Sequence, residues 1–316
     1  MAIETNAFST YSAIGNREDL SDVIYRIDPT DTPFVSGTEK TKSTGVNHEW
    51  QTQALAAAAT NAQLEGDTFT ADTTTPTVRL GNINQISRKI PRVTGTQRAV
   101  DHAGRDSEMA MQEMLKGMEL KRDMEFILIG INQAKNAGNA TTARLTASVL
   151  SWLKTNTTEG VGGVDPTAAD GTSTRTDGTA LTGFTEVKLK AVLKGIWTSG
   201  GKPDVIMANG FNKQVFSTFT GRATPTEDTK PKKITASVDF YDGDFGKQSV
   251  VANRFQRERD VFVFQMDMWA VAYLRKFEST DVAKTGDTDS RAMISEYALE
   301  ARNEKASGGV FDNSTA

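Results

Sequence analysis

The chain contains no cysteine. That excludes disulfides, thiolate nucleophiles and every Cys-ligated zinc or iron-sulfur site. Histidine is nearly absent too, with two residues, His48 and His102. A His-based triad or metal centre would need both to converge with partners. No apolar run approaches the roughly 20 residues that span a bilayer. The opening MAIETNAFSTYSAIG lacks the basic and apolar regions of a signal peptide, so the expectation is a protein made and used in a cytoplasm, without membrane contact. Excess positive charge is also missing: 36 Lys and Arg stand against 40 Asp and Glu, a net charge of −4. A protein that grips phosphates for its living carries a basic stripe instead. The local basic groups, Arg88, Lys89, Arg92 and Arg98, and Arg254, Arg257 and Arg259 interleaved with Glu258 and Asp260, read as solvated faces or subunit contacts.

Apolar residues make up 37% of the 316 positions, below the roughly 45–50% of an average globular domain, a figure that also counts Gly. Either part of the chain lies outside a core, or neighbouring chains supply part of the burial. The pattern along the chain says where. Residues 1–38 hold one helical stretch, NREDLSDVIYRI, with Asn16 as cap and Leu20, Val23, Ile24 and Ile27 on one face; Pro29 and Pro33 then extend the backbone. The segment reads as an arm with too few apolar residues for a core of its own.

From 39 to 93 the period changes to two, with Val46, His48, Trp50 and Thr52 alternating against Asn47, Glu49 and Gln51. A second extended stretch runs from Thr77 to Val93. The Ala/Thr/Gly/Asp-rich segment between them is too polar and turn-rich for a core. Two strands joined by such a tip predict a projecting hairpin whose limbs of about 15 residues could reach roughly 50 Å. A two-stranded ribbon is marginal alone and needs a partner surface.

Residues 104–135 carry the longest helical pattern. Met111, Leu115 and Met118 form one stripe, and Leu120, Met124, Ile127 and Ile131 a second, with Gly138 as the stop. The predicted rod is ~45 Å long. Residues 154–183, rich in Thr, Gly and Asp, read as a flexible loop or insertion. Helix and strand patterns then alternate over 184–260, including a hairpin through the Asp-Gly of VDFYDGDFG, and predict a compact α/β lobe. The segments RDVFVFQMDMWAVAYLRKF and SRAMISEYALEARNEKA read as long strands that return to the helix, so that 94–153 and 261–316 make one domain.

No catalytic, cofactor or metal residue emerges. Asp239, Asp242 and Asp244 do not have EF-hand spacing and fit a hairpin turn. Gly160, Gly162 and Gly163 in EGVGGVDP lack the Lys and preceding strand of a phosphate loop. The methionines of the long helix fit core packing better than an adaptable groove.

Arm, projecting hairpin, long helix, α/β lobe and closing strands follow one another in the order of Hong Kong 97-type shell proteins. Several strings resemble tailed-bacteriophage major capsid proteins: NREDLSDVIYRIDPTDTPF, HEWQTQAL, the EGD tip, GTQRAVDHAGR, ELKRDME, GGKPDVIMANGFNKQVFSTFTG, VVANRFQRERD, WAVAYLRKF, VAKTGD and SEYALEARNEKASG. They cover the chain in order from Asn16 to Gly308. The resemblance implies an α+β capsid fold with N-terminal arm 1–38, extended loop 39–93, peripheral domain 94–153 and 261–316 with its spine helix, and axial domain 184–260. It implies a structural subunit that is no enzyme, forms hexamers and pentamers of a head shell around double-stranded DNA, and touches that DNA weakly. Scaffolding, portal and decoration proteins are the implied partners. A cellular nanocompartment shell of the same fold is the alternative, and a two-lobed enzyme a more distant one. Two further expectations concern assembly. The arm pattern begins within about 16 residues of Met1, so no fused scaffolding segment is expected. Isopeptide cross-linking in this fold needs a Lys on the loop, but Lys40, Lys42 and Lys89 lie at its base and Leu55 to Pro76 contain none, so the shell should cohere without covalent links.

Overall fold

A computed structural model describes residues 29–219 and 239–315. The helix expected at 16–27 lies outside them. In chain order the elements are α1 (Pro33–Gly37), β1 (Glu39–Lys42), β2 (Asn47–Thr52), β3 (Val78–Ile83), β4 (Gln85–Lys89), β5 (Arg92–Thr94), α2 (Gly95–Ala99) and α3 (Glu108–Glu125). There follow β6 (Thr157–Thr158), α4 (Glu186–Thr198), β7 (Val205–Ala208), α5 (Gly210–Phe216), β8 (Phe240–Gly243) and β9 (Gly246–Ala252). The chain closes with β10 (Val261–Phe264), β11 (Trp269–Val282), β12 (Thr288–Ala301) and β13 (Gly308–Val310).

Among the described residues these strands make three sheets. The first has the order β1-β11-β12-β4, with β5 also on β12; the second runs β6-β13-β10-β7-β9-β8; the third is the ribbon β2-β3. The long pair β11 and β12 is antiparallel, with register shifts between Tyr273 and Glu278 that bend it. Helix α3 lies along the first sheet, held there by Lys89 to Asp123 at 2.8 Å and Arg291 to Glu113 at 2.8 Å.

The expected spine helix at 104–135 is shorter. Gly104 takes a left-handed turn at φ +74°, and Ser107, extended, accepts from the Ala110 amide and caps the helix one turn later than periodicity suggests. At the other end α3 passes into a π-helical turn, Phe126–Gly130, and Ile131 is already extended. The residues after it are claimed by other partners: Gln133 and Ser148 exchange hydrogen bonds, and the Lys135 amide donates to Gly171. Gly138, at φ +69°, turns the loop that returns Leu145 to Asn136, so it ends no helix. The rod nonetheless runs as one piece.

Four other expectations change. The limb 77–93 divides, because β3 stays in the ribbon while β4 and β5 join β12. The segment VFVFQMDMWAVAYLRKF divides as well: β10 joins the second sheet, a short 3-10 turn at Met266–Met268 intervenes, and β11 starts the first. The lobe sheet therefore draws β10, β13 and β6 from beyond 184–260. Third, the stretch 154–183 is packed. Its β6 pairs in parallel with β13, Val161 bridges Ala180, Val164 bridges Thr176, and Arg175 is buried. The hairpin near 239–252 forms, but its turn is Asp244-Phe245 between the paired Gly243 and Gly246, so the Asp-Gly step belongs to the strand.

Alternation within β10 explains how the two cores share one sheet. Phe262 and Phe264 face a core with Phe34, Trp152, Trp269, Tyr297 and Phe311, while Val261 and Val263 face α4 and α5 through Leu189, Val192, Ile196 and Phe216. A strand buried on both faces reads as an unbroken apolar run.

Candidate assembly surface

The ribbon is rooted by polar contacts that its own sequence supplies on alternate positions. Along β2 the even residues His48, Trp50 and Thr52 turn inward and the odd ones outward, as their period of two requires. Trp50 Nε1 donates to the Ala301 carbonyl at 3.0 Å, and its ring lies 5.4 Å from that of Trp152. Asn82, fully buried on β3, donates to the Leu299 carbonyl at 2.7 Å and accepts from the Ala147 amide at 2.9 Å. Lys135 Nζ donates to the carbonyls of Gly81 at 2.6 Å and Asp170 at 2.7 Å; burial depresses its pKa, and the charges of Asp170 and Glu49 oppose that.

Beside these, His48 Nε2 lies 2.9 Å from Glu300 Oε2, which also accepts from Thr41 Oγ1 at 2.9 Å, while Arg302 Nε reaches the other carboxylate oxygen at 2.9 Å. Burial pushes Glu300 up, but the hydrogen bonds from His48, Arg302 and Thr41 outweigh it and hold the carboxyl at about 2. His48 is thus a root contact of the ribbon. His102 sits elsewhere, 3.1 Å from Gln97 before α3, and the two histidines share no partner.

Beyond the rungs the ribbon changes character. From Gln53 to Thr77 the chain forms no strand or helix, and Leu55, Leu64 and Phe69 stand 96%, 82% and 105% exposed. Its ionisable residues are Glu65, Asp67 and Asp72, all acidic. Single exposed apolar residues are normal on a surface, and this segment carries three large ones with no packing from its own chain.

Helix α1 is fastened to the body by a residue that the sequence hides. Glu125, at the last turn of α3, accepts from the amides of Phe34 at 2.9 Å and Val35 at 2.7 Å and from Asn253 Nδ2 at 2.6 Å. Pro33 opens α1, and the carboxylate serves its two free N–H groups. Burial raises the Glu125 pKa against those three donors and the charge of Lys121. A single Glu in an amphipathic helix looks like a solvent-facing residue, and nothing in its spacing marks it.

The acidic turn residues Asp239, Asp242 and Asp244 are exposed on the β8-β9 hairpin, with Asp239 3.5 Å from Lys213. Among the described residues no group of His, Asp and Glu is arranged to hold a metal ion. The glycines of EGVGGVDP do close on a carboxylate, but on the chain's own: a Cβ at Gly160 or Gly163 would stand 2.7 or 2.6 Å from atoms of Asp312, and the Gly160 amide donates to Asp312 Oδ2 at 3.2 Å.

The fold as a whole is similar to that of solved capsid and phage chains. A chain of Gordonia phage Cozz superposes with a TM-score of 0.61 at 10% identity, covering 94% of this chain and 91% of that one. A chain from the capsid of a native GTA particle gives 0.63 at 10% identity, covering 96% and 98%. The fold is therefore the α+β, Hong Kong 97-type fold of phage shell subunits. The Major capsid protein of Escherichia phage Phieco32 is 28% identical over 340 residues, 96% of each chain. The SU10 major capsid protein family model matches residues 4–314, and the chain belongs to that family. Its role is structural: it is a shell-forming major capsid protein of a phage.

Proposed function

We propose that this subunit builds hexamers and pentamers of an icosahedral-type head around the double-stranded DNA of a tailed phage, with its arm and ribbon tip laid across adjacent copies. The observation that carries this reading is the tip itself, apolar at three points, acidic, and unsupported by its own chain. Ordering such a segment costs about 1–2 kcal/mol per residue in backbone entropy, which contacts within the subunit do not offset. A neighbouring copy supplies the missing surface, and repeated heterologous contacts of that kind close into rings.

In this reading the subunit has no catalytic, cofactor or metal site, and division of labour follows the layers: arm 1–38 and ribbon 39–93 for linkage, the first sheet with α3 as the peripheral domain, and 184–260 as the axial domain. Assembly takes place in the bacterial host cytoplasm, with scaffolding, portal and decoration supplied by separate proteins. DNA contact is weak and delocalised, since a chain of net charge −4 neutralises few phosphates. Cohesion is non-covalent, because the tip offers no lysine. Electron microscopy of the expressed chain, alone and with its genomic neighbours, tests the assembly: closed shells or capsomers are expected, and a protein that stays monomeric under all these conditions would overturn it. Denaturing electrophoresis of particles should give one band; a ladder of covalent multimers would refute the non-covalent reading.

A further inference from the structure

The packed stretch from β6 to Thr182 is fastened to the edge of the lobe sheet by charge rather than by apolar side chains. Arg175 is its centre, with 1% of its side chain exposed and its guanidinium 4.0 Å from the centroid of the Phe311 ring. Around it stand Asp165 at 3.7 Å, Asp177 at 3.9 Å and Asp312 at 3.3 Å. Arg259 reaches Asp312 at 2.8 Å, and Arg257 reaches Asp177 at 2.6 Å and the buried Asp260 at 3.2 Å. Asp312 itself holds a left-handed backbone, φ +58°, which puts its carboxyl inside the glycine-lined turn.

The charges do not balance. Five carboxylates, those of Glu159, Asp165, Asp177, Asp260 and Asp312, meet three guanidiniums, and from α4 only Lys188 adds a more distant positive charge felt at Asp312. Glu159 is the member that no cation within ion-pair reach serves among the described residues. Its carboxyl lies beside that of Asp165: the Thr157 hydroxyl, 3.5 Å from Glu159 Oε1, also bonds Asp165 Oδ2, and Asp165 Oδ1 is buried without a hydrogen-bond partner among the described residues. Two carboxyl groups held around one hydroxyl repel each other when both are ionised, and they hydrogen-bond to each other once one of them carries a proton.

We propose that a proton held on Glu159 bridges it to Asp165, and that this proton is a clasp: it holds residues 157–182 against β13, whose outer neighbour is β6, and its departure loosens that segment. When it leaves, two negative charges face each other beside Asp312, and the strap loses the bond that closes its first turn. The consequence is a sheet edge, Gly308–Val310, whose cover depends on pH. Burial comes first in raising Glu159 from its ordinary 4.5 to about 7, followed by the hydrogen bond and charge of Asp165; Arg175 opposes and Asp312 reinforces. Because the proton is bound more tightly in the folded strap than in a free one, the clasp's contribution is full below about pH 4.5 and is lost as pH rises to 7 and beyond. Asp260 is also raised to about 7, by burial first, with Arg257 and Arg175 opposing and Asp177 and Asp312 reinforcing, so the experiment must separate the two.

Amide exchange of the full chain, followed by mass spectrometry at about pH 5.5 and about pH 8 and corrected for intrinsic rates, reads the strap directly. Protection of 157–182 relative to α3 should fall on the order of tenfold between the two conditions. Glu159→Gln or Asp165→Asn, each of which makes the pair hydrogen-bond without a proton, should abolish that fall, and Asp260→Asn should leave it. A wild-type strap equally protected at both pH values overturns the proposal. So does a fall that persists in both Glu159→Gln and Asp165→Asn, or one that Asp260→Asn alone removes. If both pair variants lose the strap at both pH values, the pair is needed for its charge and the shared proton is refuted.

Discussion

Glu300 shows how one side chain can serve two elements at once. It ends the inward face of β12, yet its three partners come from the ribbon, from β1 and from the turn after β12: His48, Thr41 and Arg302. The carboxylate is therefore worth more charged than neutral, and the sign of its pH dependence follows. Its folded value of about 2 lies below the ordinary 4.5, so its stabilisation is present above about pH 4.5 and disappears as pH falls toward 2. Partial solvent exposure of the site screens the effect. In urea titrations of the full chain, Glu300→Gln should cost about 1–2 kcal/mol at neutral pH and much less near pH 2. A variant that loses the same stability at both would show that the site works by shape alone. Burial moves Glu159 and Glu125 the other way, and the contrast rests on the partners' charge: Glu300 has an arginine and a histidine, Glu125 has neutral amide donors, and Glu159 has a second carboxyl.

At the scale of elements, close approach of backbone to core decides what the strap tolerates. Gly171 has φ +74°, and a Cβ there would stand 2.8 Å from Ala147 Cβ and 3.1 Å from the Trp152 ring. Gly171→Ala should destabilise the chain by about 2–4 kcal/mol, through left-handed strain and overpacking together. Gly183, at the strap's far end with nothing within 4 Å of such a Cβ, should accept Ala within about 0.5 kcal/mol. Denaturant midpoints of the two variants check this, and equal midpoints would mean that the strap is not seated on Trp152. Neither glycine stood out in the sequence, and the reason is general to the segment. Strand β2 was legible because a half-buried strand must alternate, and Trp50 with His48 did so. The strap is held by bridges such as Val164 to Thr176 and by Arg175 among carboxylates, which leave no apolar period. The division of the VFVF and WAVAYL runs was invisible for the opposite reason: β10 is buried on both faces and most of β11 to Tyr273 is buried too, so apolarity continues across the turn where the chain changes sheets. The spine helix was legible in its middle and overrun at both ends, where Ser107 and the π-turn, rather than the stripe, set the limits.

For the whole molecule, what matters is how little of the tip belongs to the subunit. The segment 55–76 crosses no sheet rung, and the nearest links across its neck are Gln53 Nε2 to the Thr75 carbonyl at 3.0 Å and Thr77 to Gln51 at 3.1 Å. Replacing it with a short Gly/Ser turn joining Gln53 to Thr77 should leave the folded subunit within about 1 kcal/mol of the original, since a flexible loop's closure cost changes slowly with length. In an assembled shell the same segment counts differently. If the tip docks on another copy as proposed, burying Leu55, Leu64 and Phe69 contributes about 1.5–3 kcal/mol for each side chain, and every subunit of the shell repeats that contribution. Losing it weakens each contact by several kcal/mol, which is orders of magnitude in its association constant, although the subunit itself is unharmed. Sedimentation and electron microscopy should find the shortened chain folded, soluble and unable to form closed shells, while denaturant unfolding of the free subunit stays near that of the full chain. Shells that form as readily without the tip would place the cohesive surface elsewhere. A shortened subunit that fails to fold would show that the tip belongs to the subunit's own core.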